Sequence, residues 1–234
     1  MTTAEKILLI LRMQAAGGGG SPWDDAITAL SPVYWYKLAE SGNPVANSGS
    51  AGGTGTIAGG SQTFQAGSLN DPLAGVAMQT GAILSMGGSG SLGTDPTVMM
   101  LVKTNATLEA SDCYLSFGSS LQLLYLADGR VRIYDDIDGF GVSSAAGVVK
   151  ANEWNLIFWQ PSQTTGISAY ATSETANGTV SQVITSGLSV VASVTGNGTA
   201  RPSNNNLATL GAFAIFDSAL TTTQMQDIAS TLPW

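Results

Sequence analysis

Along most of this chain the apolar positions alternate or form short unbroken runs, and a helical spacing appears at only three places. Val33–Leu38, VYWYKL, alternates: Tyr34, Tyr36 and Leu38 face one way, Val33, Trp35 and Lys37 the other, as along a pleated strand rich in aromatic side chains. Thr97–Lys103 (TVMMLVK) and Glu153–Gln160 (EWNLIFWQ) are apolar on both sides of the period and predict strands buried on both faces. Leu121–Tyr134, LQLLYLADGRVRIY, predicts a hairpin closed by a two-residue Asp128-Gly129 turn. That turn pairs Leu126 with Val131 and Leu124 with Ile133, so these four form the core face, with Leu123, Tyr125, Arg132 and Tyr134 on the other. Asn177-Gly178 predicts a second hairpin between Ile167–Thr172 and Val180–Ile184. Gly75–Met86 reads as a strand pair and Leu207–Asp217 as the last strand. Residues 49–71 read as Gly/Ser/Thr loops holding one or two short strands anchored by Ile57 and Phe64.

The three helical stretches carry their own start signals. Ser21 with Pro22, Asp24 and Asp25 opens a short helix that presents Trp23 and Ile27 and ends near Leu30, ahead of Pro32. Thr221 with Gln224 three residues on is a capping box for a C-terminal helix that turns Met225, Ile228 and Ala229 inward. Thr2 with Glu5 opens the third, over residues 2–16, in which Ala4, Ile7, Leu8, Leu11 and Ala15 make an apolar stripe. The GGGGS that follows is a flexible linker. The expected organisation is therefore an arm and linker over residues 1–20 and one β-sandwich domain over residues 21–234. Ile7, Leu8 and Leu11 are the expected docking residues, since so short a helix needs packing to hold it, on a partner or, alternatively, back on its own domain. The stripe is too short to span a bilayer. Glu5 beside Lys6 and a core of only Ile7–Leu11 make a poor signal peptide.

Composition narrows the functional classes. Hydrophobic residues are 44% of the 234, enough for a core, while charged residues are only 10%, so the surface is covered by Ser, Thr, Asn, Gln and Gly. Sixteen acidic against eight basic side chains give a net charge of −8, which speaks against nucleic acid and anionic membrane as partners. The single cysteine, Cys113, excludes an internal disulfide and reads as a small buried apolar residue; with no histidine in the chain it has no catalytic partner of the usual kind.

Four stretches resemble laminin-G-like members of the concanavalin A-like lectin/glucanase superfamily. The opening strand matches at Tyr36, Lys37, Leu38, Glu40, Ser41, Gly42, Asn47, Ser48 and Gly49, with Asn47 in place of the family's Asp, which removes a charge from any metal site there. Thr97–Lys103 is similar to the family's Thr-Val-x-x-Trp-Val-Lys strand with Leu101 at the Trp position, and Glu153–Gln160 to its Trp-bearing strand. Gly211, Ile215, Asp217, Leu220 and Thr221 follow its closing motif. The resemblance brackets residues 33–231 and implies an all-β, concanavalin A-like antiparallel sandwich, a jelly roll, of the sort carried by phage decoration and minor tail proteins.

No glucanase-like run of paired carboxylates occurs, and without histidine no Ser-His-Asp or Cys-His arrangement exists. The one acidic cluster is Asp135, Asp136 and Asp138 in YDDIDGFG, read as candidate calcium ligands or as a solvated turn. Tyr134 and Phe140 flank it and are candidates to stack on a sugar ring; Asn204–Asn206 is a second candidate glycan contact or a loop. With Met1 taken as the start, the expectation is a non-enzymatic bacteriophage virion surface protein, made in the host cytoplasm. Its arm attaches it in many copies to other capsid or tail proteins, and its sandwich presents a glycan-binding face. The alternatives are a cellular carbohydrate-binding or adhesion module and a degenerate glycoside hydrolase.

Overall fold

A computed structural model describes residues 21–38, 43–60, 62–65, 73, 75–78, 82–88, 92–108, 113–117, 120–195, 198–201 and 208–234. The predicted arm with Ile7, Leu8 and Leu11, the motif positions Glu40, Ser41 and Gly42, and Asn204–Asn206 lie outside them, as does the side chain of Cys113. The described residues form two antiparallel sheets. The first runs β14 (Ser181–Ser186), β13 (Ile167–Ser173), β12 (Trp154–Gln160), β7 (Thr97–Lys103), β16 (Ala208–Phe216), β5 (Gly75–Met78) and β4 (Gln62–Gln65), with β1 (Tyr34–Lys37) also paired to β16. The second runs β11 (Phe140–Ser143), β10 (Val131–Asp135), β9 (Leu121–Tyr125), β8 (Cys113–Phe117), β15 (Thr199–Arg201), β6 (Ile83–Ser85), β3 (Thr54–Ala58) and β2 (Val45–Ala46).

The central core lies between the sheets. Tyr34, Tyr36, Val98, Met100, Val102, Ile157, Trp159, Phe213 and Ile215 meet Leu115, Phe117, Leu121, Leu123, Tyr125, Val131 and Ile133. A second apolar layer explains the runs that are hydrophobic on both sides. Trp35, Met99, Leu101, Trp154, Leu156 and Phe158 point outward from the first sheet and are covered by α1 (Pro22–Thr28) and α2 (Thr222–Ser230). Trp23 of α1 meets Trp35 edge-on, with ring centroids 5.9 Å apart, and Met225, Ile228 and Trp234 close the C-terminal side. Each such side chain, fully buried, contributes roughly 1.5–3 kcal/mol. Both predicted capping boxes are present, Ser21 with Asp24 and Thr221 with Gln224.

The Gly211–Thr221 stretch is legible as packing. Gly211 sits at a register shift between Leu210 and Ala212, where a Cβ would come within 2.8 Å of the Trp154 ring. Asp217 accepts from the Gly93 amide. The Leu220 carbonyl accepts from Gln160 Nε2 at 2.7 Å and its N–H donates to Thr97 Oγ1 at 2.8 Å.

The β9–β10 hairpin forms one residue out of the predicted register. Val131 pairs with Tyr125 and Ile133 with Leu123, so the core face is Leu121, Leu123, Tyr125, Val131 and Ile133. Leu124 is buried too, but on the opposite face, and Leu126 is only half-buried. The turn holds three residues, not two: the Leu126 N–H donates to the Arg130 carbonyl at 2.9 Å around Ala127, Asp128 and Gly129. Gly129 takes φ +76°, the left-handed position that ends a three-residue hairpin loop. Neighbouring chain holds the turn in this form, with the Gly147 and Val149 amides donating to the Asp128 and Gly129 carbonyls. Two smaller differences concern pairing. β5 and β6 of the Gly75–Met86 stretch enter different sheets, and the β13–β14 pairing stops at Ala171–Ser181, leaving a longer connection around Asn177-Gly178.

Candidate functional site

Both described helices cover the first sheet, and among the described residues no helix covers the outer face of the second. Its content follows from register, because directly opposed residues share a face. Ile57, Leu84, Ala200, Leu115, Leu123 and Ile133 line up across six strands and are all buried, so this row faces the core. The adjacent row, Thr56, Ser85, Thr199, Ser116, Gln122 and Tyr134, therefore faces out. Thr56 and Ser85 are exposed and the other four half-buried. Five inter-strand steps make this polar lane about 24 Å long. It offers four hydroxyls and an amide, each able to donate and to accept, and it ends on an aromatic ring.

At that end, β10 and β11 pair Arg132 with Ser143 and Tyr134 with Gly141. The Arg132 guanidinium carbon lies 5.0 Å from the Tyr134 ring centroid. Both side chains lean over Gly141, where a Cβ would fall 2.7 Å from Arg132 Nε and 3.0 Å from the Tyr134 ring. The Tyr134 hydroxyl donates to Asp136 Oδ1 at 3.3 Å. Arg132, Tyr134 and Asp136 thus form a connected polar-aromatic platform.

The other sequence candidates separate. Asp135 points inward and is buried; its carboxylate accepts from the Ile137 N–H at 2.9 Å, the Val191 N–H at 2.6 Å and the Ala192 N–H at 3.0 Å. It ties the β10–β11 turn to the segment after β14. Asp136 and Asp138 are exposed on the turn, which Gly139 closes at φ +67°. Among the described residues no group of three or more His, Cys, Asp or Glu side chains is placed to hold a metal ion. Phe140 is opposite Asp135 and packs against the core, so it does not flank a ligand together with Tyr134. Asn47 accepts from the Trp35 N–H at 2.8 Å and the Gly49 N–H at 2.9 Å and donates to the Gly52 carbonyl at 2.8 Å. Its amide supplies a donor that an aspartate would lack, and braces β1 against the next loop.

Two carboxylates that sequence reading did not single out have strong local environments. Ser162 and Thr164, with Thr94 and Thr165, hydrogen-bond Asp95 and hold its carboxyl below the ordinary range against a small desolvation effect. Glu153 is pushed up by burial, yet the Thr175 hydroxyl and amide, Ser173 and the Lys150 charge together leave it below its ordinary value. Asp95 precedes β7 and Glu153 precedes β12, and these strands are antiparallel. The two acids therefore sit at opposite ends of one strand pair.

No family model matches this chain, and no curated protein matches it by sequence. Solved structures do. Domain 4 of AbnA, an extracellular GH43 arabinanase from Geobacillus stearothermophilus in complex with arabinotriose, superposes with TM-score 0.61 at 13% identity, covering 85% of this chain and 98% of that one. The botulinum neurotoxin type G receptor binding domain gives 0.59 at 13% identity, covering 85% and 51%. The botulinum neurotoxin serotype D ligand binding domain in complex with N-acetylneuraminic acid gives 0.61 at 10%, covering 87% and 52%. The chain is an antiparallel β-sandwich of the jelly-roll kind. It spans about half the length of the neurotoxin domains it matches and nearly all of the arabinanase domain. At these identities the likeness shows the fold; the lane and its platform belong to this chain's own residues.

Proposed function

We infer that this domain is a non-catalytic carbohydrate-binding module whose ligand lies across the outer face of the second sheet. The observation that carries this reading is the in-register polar lane on the outer face of the second sheet, ending at Tyr134. A saccharide presents hydroxyls along its length and apolar C–H faces, which suits a row of Thr, Ser and Gln side chains leading to a tyrosine ring. That an arabinanase domain of this fold is complexed with arabinotriose and a neurotoxin domain with N-acetylneuraminic acid supports saccharides as the ligand class. The absence from the sequence of a glucanase-like run of paired carboxylates supports a binding role over hydrolysis. A glycan array followed by calorimetry on the best ligand tests the reading. Binding lost in Tyr134→Ala and Gln122→Ala with the fold intact is the expected result, and a full array without binding overturns it.

The finer reading sets the module on the surface of a bacteriophage particle, in many copies, attached to capsid or tail protein by the arm. The Ile7, Leu8, Leu11 stripe, the GGGGS linker and the low-charge composition support it, and multiple copies would raise weak single-site affinity by avidity. Removal of residues 1–16 should leave a folded sandwich that no longer joins the particle; unchanged incorporation would rule out the arm as anchor.

A further inference from the structure

We propose that the saccharide bound on this face carries a carboxylate and that Arg132 recognises it. The inference rests on the carbohydrate-binding reading above and names the ligand's class. Arg132 stands out among the cations. Lys37 pairs with Asp24 at 3.2 Å and Arg130 with Asp128 at 2.7 Å. Arg132 has no carboxylate partner among the described residues, and its buried Nε has no hydrogen-bond partner there. The Nε is enclosed by the protein, so a ligand would meet the Nη groups of this half-buried side chain.

The guanidinium is also pre-placed. The Tyr134 ring holds it at 5.0 Å, and residue 141 makes room for it by having no side chain. Asp136, the nearest acid along the platform, accepts from the Tyr134 hydroxyl. A planar guanidinium fixed in this way presents paired N–H donors that match the two oxygens of a carboxylate.

The test uses oligosaccharides bearing uronic or sialic acid residues together with their carboxyl-reduced counterparts, in calorimetry with the full chain. The acidic forms are expected to bind roughly tenfold or more tightly than the reduced ones, as a charge-assisted pair warrants. That preference should weaken with salt and fall to about one in Arg132→Gln. Gly141→Ala, which pushes the guanidinium off its seat, should reduce the preference as well, and thermal melts establish that both variants fold. Equal binding of acidic and reduced forms by the parent protein, or a preference that survives Arg132→Gln, overturns the proposal while leaving carbohydrate binding in place. Failure of every acidic and neutral saccharide to bind removes both readings together.

Discussion

Arg132 and Tyr134 stand two residues apart on β10, on the same outward face, with the guanidinium carbon 5.0 Å from the ring centroid. Between them in sequence, Ile133 points the opposite way and is fully buried. The strand therefore spends alternate residues on core and surface, and rigid core packing fixes the orientation of the surface pair.

Tyr134→Ala should reduce saccharide affinity by about tenfold or more, since a stacked aromatic contributes roughly 0.5–1.5 kcal/mol beyond its buried area. Its melting temperature should stay close to the parent's, because the side chain is half-exposed. Calorimetry and a thermal melt on the same sample check both halves.

The hairpin register makes a sharp comparison of two leucines. Leu123 is fully buried between the sheets, so Leu123→Ala should destabilise by about 2–5 kcal/mol. Leu126, half-buried beside the turn, should cost much less when cut to Ala. Urea denaturation of the two variants settles the order, and a larger effect at Leu126 would restore the two-residue turn.

Asp135 holds three backbone amides from the β10–β11 turn and the segment after β14. Asp135→Ala should destabilise the fold by leaving those amides without an acceptor, at roughly 1–3 kcal/mol for each one that water does not reach. Millimolar calcium should not raise the melting temperature of the parent protein, because this carboxylate already serves N–H donors. A calcium-dependent rise would return Asp135, Asp136 and Asp138 to the role of ligands.

Asp95 makes a pH signature. Its carboxyl is held below the ordinary value of 3.8 in the folded protein, chiefly by Ser162 and Thr164. A depressed folded value means that its contribution to stability is present above 3.8 and is lost as the pH falls through the folded value. Asp95→Asn should therefore lower stability at neutral pH and shrink the loss on acidification. Denaturation midpoints at pH 7 and at a pH below 3.8 measure the difference; parallel curves for parent and variant would show that the hydroxyl cradle adds nothing.

Short-range chemistry decided much of this protein before any folding argument was needed. Ser21 with Asp24 and Thr221 with Gln224 cap their helices as their spacing requires. The Tyr34, Tyr36 and Trp35 alternation sorts into two layers, because side chains on a strand point alternately to opposite faces whatever lies beyond. TVMMLVK and EWNLIFWQ announced strands covered on both sides, and the covering helices are there. The rest depended on contacts distant in sequence. Asp128-Gly129 is compatible with a two-residue and a three-residue turn, and the Gly147–Val149 segment bonded to it accompanies the longer one, so Leu123 and Tyr125 face the core between the sheets while Leu124 is buried on the other face. Asp135, Asp136 and Asp138 are neighbours in sequence, yet the strand ends at the first of them, so pleat and burial turn it inward to amides some fifty residues away while the others face water. The polar lane is the furthest from local reading. Thr56, Ser85, Ser116, Gln122, Tyr134 and Thr199 share nothing in sequence, and only the order in which β10, β9, β8, β15, β6 and β3 pair brings them into one row, because hydrogen bonding between strands, not distance along the chain, sets which side chains are neighbours on a sheet.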